Sequence, residues 1–222
     1  MQQQHHSNTY RLLYIPIVFL FLLSFTDCAK KGRPSGGLRD ILAPVILRSA
    51  PENFTTNFKN NEIRITFDEF IKLKDISKEL IISPPLKYAP IITPLSVSKV
   101  LKIKILDTLK NNTTYSFNFG NSIQDNNEGN LFPNYKYVFS TGSYIDSLTL
   151  KGTAIDALLP VTDFPTIVAL YQVDQSYKDS LVFLEKPTYI TTTINETNNF
   201  ELSNLKQGTY QLIALKEQTR NY

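Results

Sequence analysis

The 222 residues include two histidines, His5 and His6, both at the extreme N-terminus, so the rest of the chain has none for a Ser-His-Asp or Cys-His arrangement or for a histidine zinc site. A single cysteine excludes any intrachain disulfide, and the fold must rest on packing, with 14 Phe and 12 Tyr supplying the aromatic core in the absence of tryptophan. The formal net charge of +3 is local: Lys30, Lys31, Arg33 and Arg39 against Asp40 carry it, while from Ile41 onward acidic and basic residues balance, which leaves no electrostatic footprint for nucleic acid.

The chain opens with Gln2 to Tyr10, polar and free of acids, then Arg11, then an almost continuously apolar run from Leu12 to Phe25 broken by Pro16 and Ser24. A polar start, a short apolar stretch and a processing site are the layout of a secretory signal, and the stretch is shorter than the roughly 20 residues of a spanning helix. Cys28 follows shortly after. A cysteine in this place resembles the bacterial lipoprotein signal, in which the thiol is acylated and becomes the new N-terminus. The residues before it read Phe25-Thr26-Asp27, and Asp27 departs from the small neutral residue usual there. An ordinary signal peptide cut nearby, or a short uncleaved anchor, is the alternative; a lone extracytoplasmic cysteine without a disulfide partner favours lipidation. The resemblance implies a signal over residues 1–27, lipid attachment at Cys28 and a membrane partner through that anchor. Residues 28–42, with Gly32, Pro34, Ser35, Gly36 and Gly37, read as a flexible basic tether. Its cations either attract anionic headgroups, at about 1 kcal/mol each close to the surface, or are simply solvated.

From Ala43 the apolar period becomes two. Ile63, Ile65 and Phe67 alternate with polar residues, as do Leu101, Ile103 and Ile105, then Tyr115, Phe117 and Phe119, then Tyr135, Tyr137 and Phe139. Each set predicts a half-buried strand. Asn111-Asn112 and the run from Asp125 to Asn130 read as turns, and Pro84, Pro85, Pro90 and Pro94 suit loops or edge strands. Ile71 to Leu80 is the one helix-like stretch. The fold class expected is all-β, an antiparallel sandwich over residues 43–142.

A second β block is expected over residues 147–222. Leu148 and Leu150 open it, followed by strands at Thr166 to Val173, Ser180 to Leu184, Tyr189 to Ile194, Phe200 to Leu202 and Thr209 to Leu215, with Gly208 making the last turn. The runs Ile167 to Leu170 and Leu212 to Leu215 are apolar on both faces and predict strands in the middle of a packed sheet. No closing strand follows Leu215, so this block reads as incomplete: either part of a longer protein or completed from elsewhere.

The first block resembles the bacterial Ig-like domain first described in surface-layer proteins (the SbsA type). The matching residues are Ala43-Pro44-Val45, Ala50-Pro51-Glu52, Ile65 to Glu69, Leu109, Asn112 to Tyr115, Ile123, Asp125, Glu128 to Asn130 and the closing Phe139-Ser140-Thr141-Gly142. The second block resembles the start of a prealbumin-like or carboxypeptidase-regulatory-like β domain through Leu150 to Ala154, Phe200 to Leu202, Leu205 and Gly208 to Tyr210. Tether and domain order together are similar to a lipoprotein type common in Bacteroidetes. In lipoprotein sorting, Ala29 after the cysteine does not call for inner-membrane retention, and Lys30-Lys31 stands where surface-exported Bacteroidetes lipoproteins carry acids. That implies an outer-membrane lipoprotein facing the periplasm.

Candidate sites are few. Asp125, Asn127, Glu128 and Asn130 are rich in oxygen ligands, but their spacing is not that of an EF-hand and turn chemistry accounts for them; no metal or cofactor is expected. Asp68 and Glu69, adjacent on a strand, point to opposite faces and cannot form a catalytic pair. Asp107-Thr108-Leu109, Asp146-Ser147-Leu148 and Asp179-Ser180-Leu181 resemble the Bacteroidetes O-glycosylation sequon, which implies Thr108, Ser147 and Ser180 as acceptors, Ser147 foremost; motifs this short also arise by chance. The Asn-X-Ser/Thr sequons at Asn53, Asn111, Asn112 and Asn195 are incidental to an Asn-rich chain. Tyr88, Tyr135, Tyr177 and Tyr189 are candidate contacts for a protein or glycan partner, with core packing the simpler assignment. The function expected is that of a non-catalytic cell-envelope lipoprotein for spacing, adhesion or partner binding. The alternatives are a carbohydrate-binding accessory module, or an activity lying beyond residue 222.

Overall fold

Alternation of apolar and polar residues turns one face of each strand toward a core. The computed structural model, which describes residues 37–156, 165–194 and 197–216, assembles these strands into antiparallel sheets. The first sandwich uses β1 (Ile46–Ala50), β2 (Glu62–Leu73), β3 (Ile81–Ser83), β4 (Ile91–Thr93), β5 (Ser98–Lys104), β6 (Thr114–Asn118), β7 (Ile123–Asp125) and β8 (Lys136–Ser140). One sheet has the order β1-β2-β5-β4, with β7 pairing the far end of β2; the facing sheet has the order β3-β6-β8. Ile63, Ile65, Phe67, Leu101, Ile103, Phe117, Phe119, Tyr137 and Phe139 are wholly buried between them. Phe139 is the hub: its ring lies 4.0 Å from Phe58, 5.5 Å from Tyr115 and 6.0 Å from Phe117, centroid to centroid.

The chain enters this sandwich through a reciprocal clasp. The Val45 N–H donates to the Asp68 carboxylate at 2.8 Å, and the Asp68 N–H donates to the Val45 carbonyl at 3.0 Å. Residues 53–58 then run along the outer edge of β8. Phe54 N–H donates to Val138 O, Ser140 N–H to Thr55 O and Phe58 N–H to Ser140 O. The Asn53 side chain extends the ladder, accepting from Val138 N–H at 2.7 Å and donating to Lys136 O at 3.0 Å. An edge that would otherwise be open to strand addition is thereby covered, and the Asn53 amide is already engaged.

The second sandwich contains β9 (Leu148–Thr153), β10 (Thr166–Gln172), β11 (Tyr189–Thr192), β12 (Asn199–Leu205) and β13 (Tyr210–Lys216). A three-stranded sheet β11-β10-β13 faces the two-stranded β12-β9. Between them Val168, Leu170, Tyr189, Phe200, Leu202 and Leu205 form a small core. Gly152 is required there: a Cβ at that position would come within 2.7 Å of the Phe200 ring. Both sandwiches lie in one compact unit, Asp40–Tyr222.

The architecture is the all-β one expected, with four local differences. Ile71 to Leu73 are strand, paired with β7, because Ile71 is needed in the core; only Ile76–Glu79 forms a single-turn helix, α1. Ser180 to Leu184 is not a strand. Leu181–Leu184 forms the single-turn helix α2, closed by Glu185 N–H on Leu181 O at 2.9 Å, with no strand beside it to complete a ladder among the described residues. Its Phe183 and Leu184 face solvent. Among the described residues the apolar run Leu212 to Leu215 lies in β13 at the edge of its sheet, not in the middle, whereas the similar run in β10 is central and buried. Finally, β6 and β8 are buried on both faces rather than half-buried, because β12 lies against the outer side of β6.

Candidate functional site

The joint between the sandwiches is where the fold gathers its buried polar chemistry. Asp146, in the short connection between β8 and β9, is buried and accepts the hydroxyl of buried Thr114 at 2.8 Å; its own N–H donates back to the same oxygen at 2.9 Å. Asn204 on β12 donates to the Asp146 carbonyl at 3.0 Å. Ile190 N–H on β11 donates to the Ser83 hydroxyl at 3.2 Å, and Lys136 on β8 reaches the Ser203 hydroxyl at 3.4 Å. Lys186, just before β11, donates to the Leu86 carbonyl at 2.6 Å. A carboxylate buried with satisfied partners fixes an orientation, since each partner left unpaired would carry its own desolvation cost.

The turn from Asp125 to Asn130 is organised around a carboxylate in a different way. Asp125 is nearly inaccessible and accepts the N–H groups of Glu128, Gly129 and Asn130 at 2.7, 3.1 and 2.6 Å. Burial pushes its pKa up, but these backbone donors outweigh it and hold the group below the ordinary carboxylate value. The Asp125 oxygens are thus occupied by the loop's own N–H groups, and no cluster of metal-ligating side chains occurs among the described residues. Glu69 shows the opposite shift. Partial burial first, then repulsion from Asp125, Asp68, Asp40 and Glu128, raises it above the ordinary value.

The tyrosines divide. Tyr189 is core of the second sandwich; it accepts the Lys206 N–H at 3.1 Å, and burial pushes its phenol up to about 12. Tyr135 packs with Phe119 and Phe132 of the first core and is likewise pushed up to about 12 by burial. Tyr177 is half-buried, and Tyr88 is exposed with the Lys87 ammonium 5.2 Å from its ring centre. With two of the four rings spent on separate cores, they do not form one aromatic surface.

The candidate acceptor hydroxyls are all on exposed residues but far apart in the fold: Thr108 between β5 and β6, Ser147 at the joint, Ser180 before α2. Their neighbouring aspartates differ. Asp146 is buried in its bond to Thr114, Asp107 accepts the N–H groups of Lys87 and Tyr88, and Asp179 is exposed. Cys28 and Asn195 lie outside the described residues. Among the described residues no helix is long and apolar enough to cross a membrane. Sequence reading missed the joint, because Thr114, Asp146 and Asn204 are widely separated along the chain and carry no local pattern; it also missed Lys186, whose partner Leu86 is in the other sandwich.

No curated protein and no solved structure matches the chain. The segment 40–141 matches the family model of the bacterial Ig-like domain, a class of generally non-catalytic modules. That segment, with its β1-β2-β5-β4 and β3-β6-β8 sheets, is a bacterial Ig-like domain.

Proposed function

We propose that the chain is a non-catalytic cell-envelope module, lipid-anchored at Cys28, whose two sandwiches act as one stiff spacer presenting a partner-binding surface. The observation that carries the reading is the buried joint: the reciprocal Asp146–Thr114 pair, with Asn204 on the Asp146 carbonyl, resists bending between the sandwiches. Attachment rests on the apolar run and Cys28, and the basic tether with Ala29-Lys30-Lys31 supports an outer-membrane lipoprotein facing the periplasm. Tyr135 and Tyr189 pack into separate cores, which favours this reading over the alternative of a carbohydrate-binding accessory module. Ser180, beside exposed Asp179, has the most accessible sequon; Ser147 and Thr108 are exposed too, but the aspartates before them, Asp146 and Asp107, are held in hydrogen bonds.

Three measurements test this. Incorporation of labelled palmitate should vanish in Cys28→Ala, and incorporation that survives the change refutes the anchor. Distances between spin labels placed on the two sandwiches should form a single narrow distribution, and a broad one refutes the spacer. Intact-mass analysis of native protein should show added hexose, and its absence removes the acceptor assignment alone.

A further inference from the structure

A cavity of about 570 Å³ opens beside the joint, bounded by α1, by the connection from β3 to β4 and by β11. Its volume lies within the range of small-molecule sites, which favour junctions between domains. Ile76, Leu80, Leu86, Pro90, Ile92 and Ile190 make its walls. Leu86 is buried and anchored on the first core, while Leu80 and Ile92 pack against that core from outside, so the walls are held by the sandwich rather than by loops alone.

The polar lining is of one sign. Lys87 and Lys186 stand at the cavity, with Ser77, and no aspartate or glutamate among the described residues lines it. Neither ammonium makes a salt bridge among the described residues. Lys186 spends one donor on the Leu86 carbonyl, and an ammonium has three. Lys87 lies over the ring of Tyr88, outside any hydrogen bond of its ammonium to a carboxylate. In a body whose charges otherwise balance, a mainly apolar cleft with two lysines and no acid in its lining, the nearby Asp107 carboxylate being held by the Lys87 and Tyr88 N–H groups, is complementary to a molecule with a long apolar part and one anionic end.

We propose that this cavity binds a single-chain fatty carboxylate, its alkyl chain along the isoleucine, leucine and proline walls and its carboxylate between Lys87 and Lys186. A sugar would find few hydrogen-bonding groups on these walls, and a cationic amphiphile would meet two like charges. This assignment is independent of the anchor at Cys28.

The test is calorimetric titration of the full chain with dodecanoate, dodecyltrimethylammonium and acetate. Dodecanoate should saturate one site per chain; acetate should not bind, and the cationic amphiphile should bind about tenfold more weakly or worse, given two opposed charges at the mouth. Ala89 is exposed and lines the cavity, so Ala89→Trp fills it without disturbing the core and should abolish dodecanoate binding while circular dichroism stays unchanged. The double change Lys87→Glu with Lys186→Glu should reverse the headgroup preference. The proposal fails if both amphiphiles bind alike, if dodecanoate does not saturate, or if Ala89→Trp leaves its binding intact.

Discussion

In the first sandwich the edge strand β8 is hydrogen-bonded along its outer side by residues 53–58, and the other edges are short or bulged: β3 and β4 have three residues each, and β1 slips register between Ile46 and Arg48. In the second, β13 offers seven residues with no strand among the described residues on its outer side, and Leu212 and Leu215 are 44% and 48% exposed. The first core is a continuous cluster with stacked and edge-on rings; the second is a small group under a two-stranded cover. Stability in this chain is therefore unevenly distributed. The Ig-like part holds the larger continuous core, while the second part, with its small core, also leans on the joint, where β11 and β12 pack against β3 and β6.

The strongest challenge to this contrast is Phe139→Ala. Removing a wholly buried ring that touches several others should cost about 3–5 kcal/mol and lower the main calorimetric transition sharply; a small shift would mean that the first core is not the stable element. Next is Asp146→Ala, which strips the buried Thr114 hydroxyl of its acceptor and should cost about 2 kcal/mol. It should also split one thermal transition into two, and a single unshifted transition would show that the joint does not couple the sandwiches.

Asp125→Asn should cost about 1–2 kcal/mol at pH 7, since charge-assisted bonds to three N–H groups are weakened. The sign with pH follows from the depressed pKa of the folded state. The carboxylate contributes stability above its ordinary value of 3.8, and that contribution is lost as pH falls through the lower folded value. The stability gap between the wild-type chain and the Asp125→Asn variant should thus close in acid; a gap independent of pH would point to packing instead. Smallest is the paired change Leu212→Ser with Leu215→Ser. On a half-exposed edge it should move stability by no more than about 0.5 kcal/mol, and a loss as large as that of Phe139→Ala would erase the distinction between the two sandwiches.

The strands of the first sandwich were legible because each buries one face: Ile63-Ile65-Phe67 and Leu101-Ile103-Ile105 alternate so cleanly that period and burial coincide. Legibility was lost where burial came from outside the local pattern. Ser116 and Ser140 sit on what reads as a solvent face of β6 and β8, and both are buried, the fold having covered that side as well. The converse is Leu212 to Leu215, where an all-apolar run suggested a central strand but its neighbour on one side is missing among the described residues. Helix α2 was read as strand because Leu181 to Leu184 is apolar, yet apolar character alone does not supply a partner ladder. The cavity was illegible for a simpler reason: its two lysines are separated by nearly the length of a domain and meet only through the packing of one sandwich on the other.

The clasp between Val45 and Asp68 has a mechanical meaning. Tension arriving along the chain from its N-terminal side meets this pair before it meets β1, and the pair's two hydrogen bonds share the load because both join the same two residues. Behind it, β2 distributes the pull to β1, β5 and β7. Asp68 thus rivets the chain that enters at Val45 to the longest strand among the described residues.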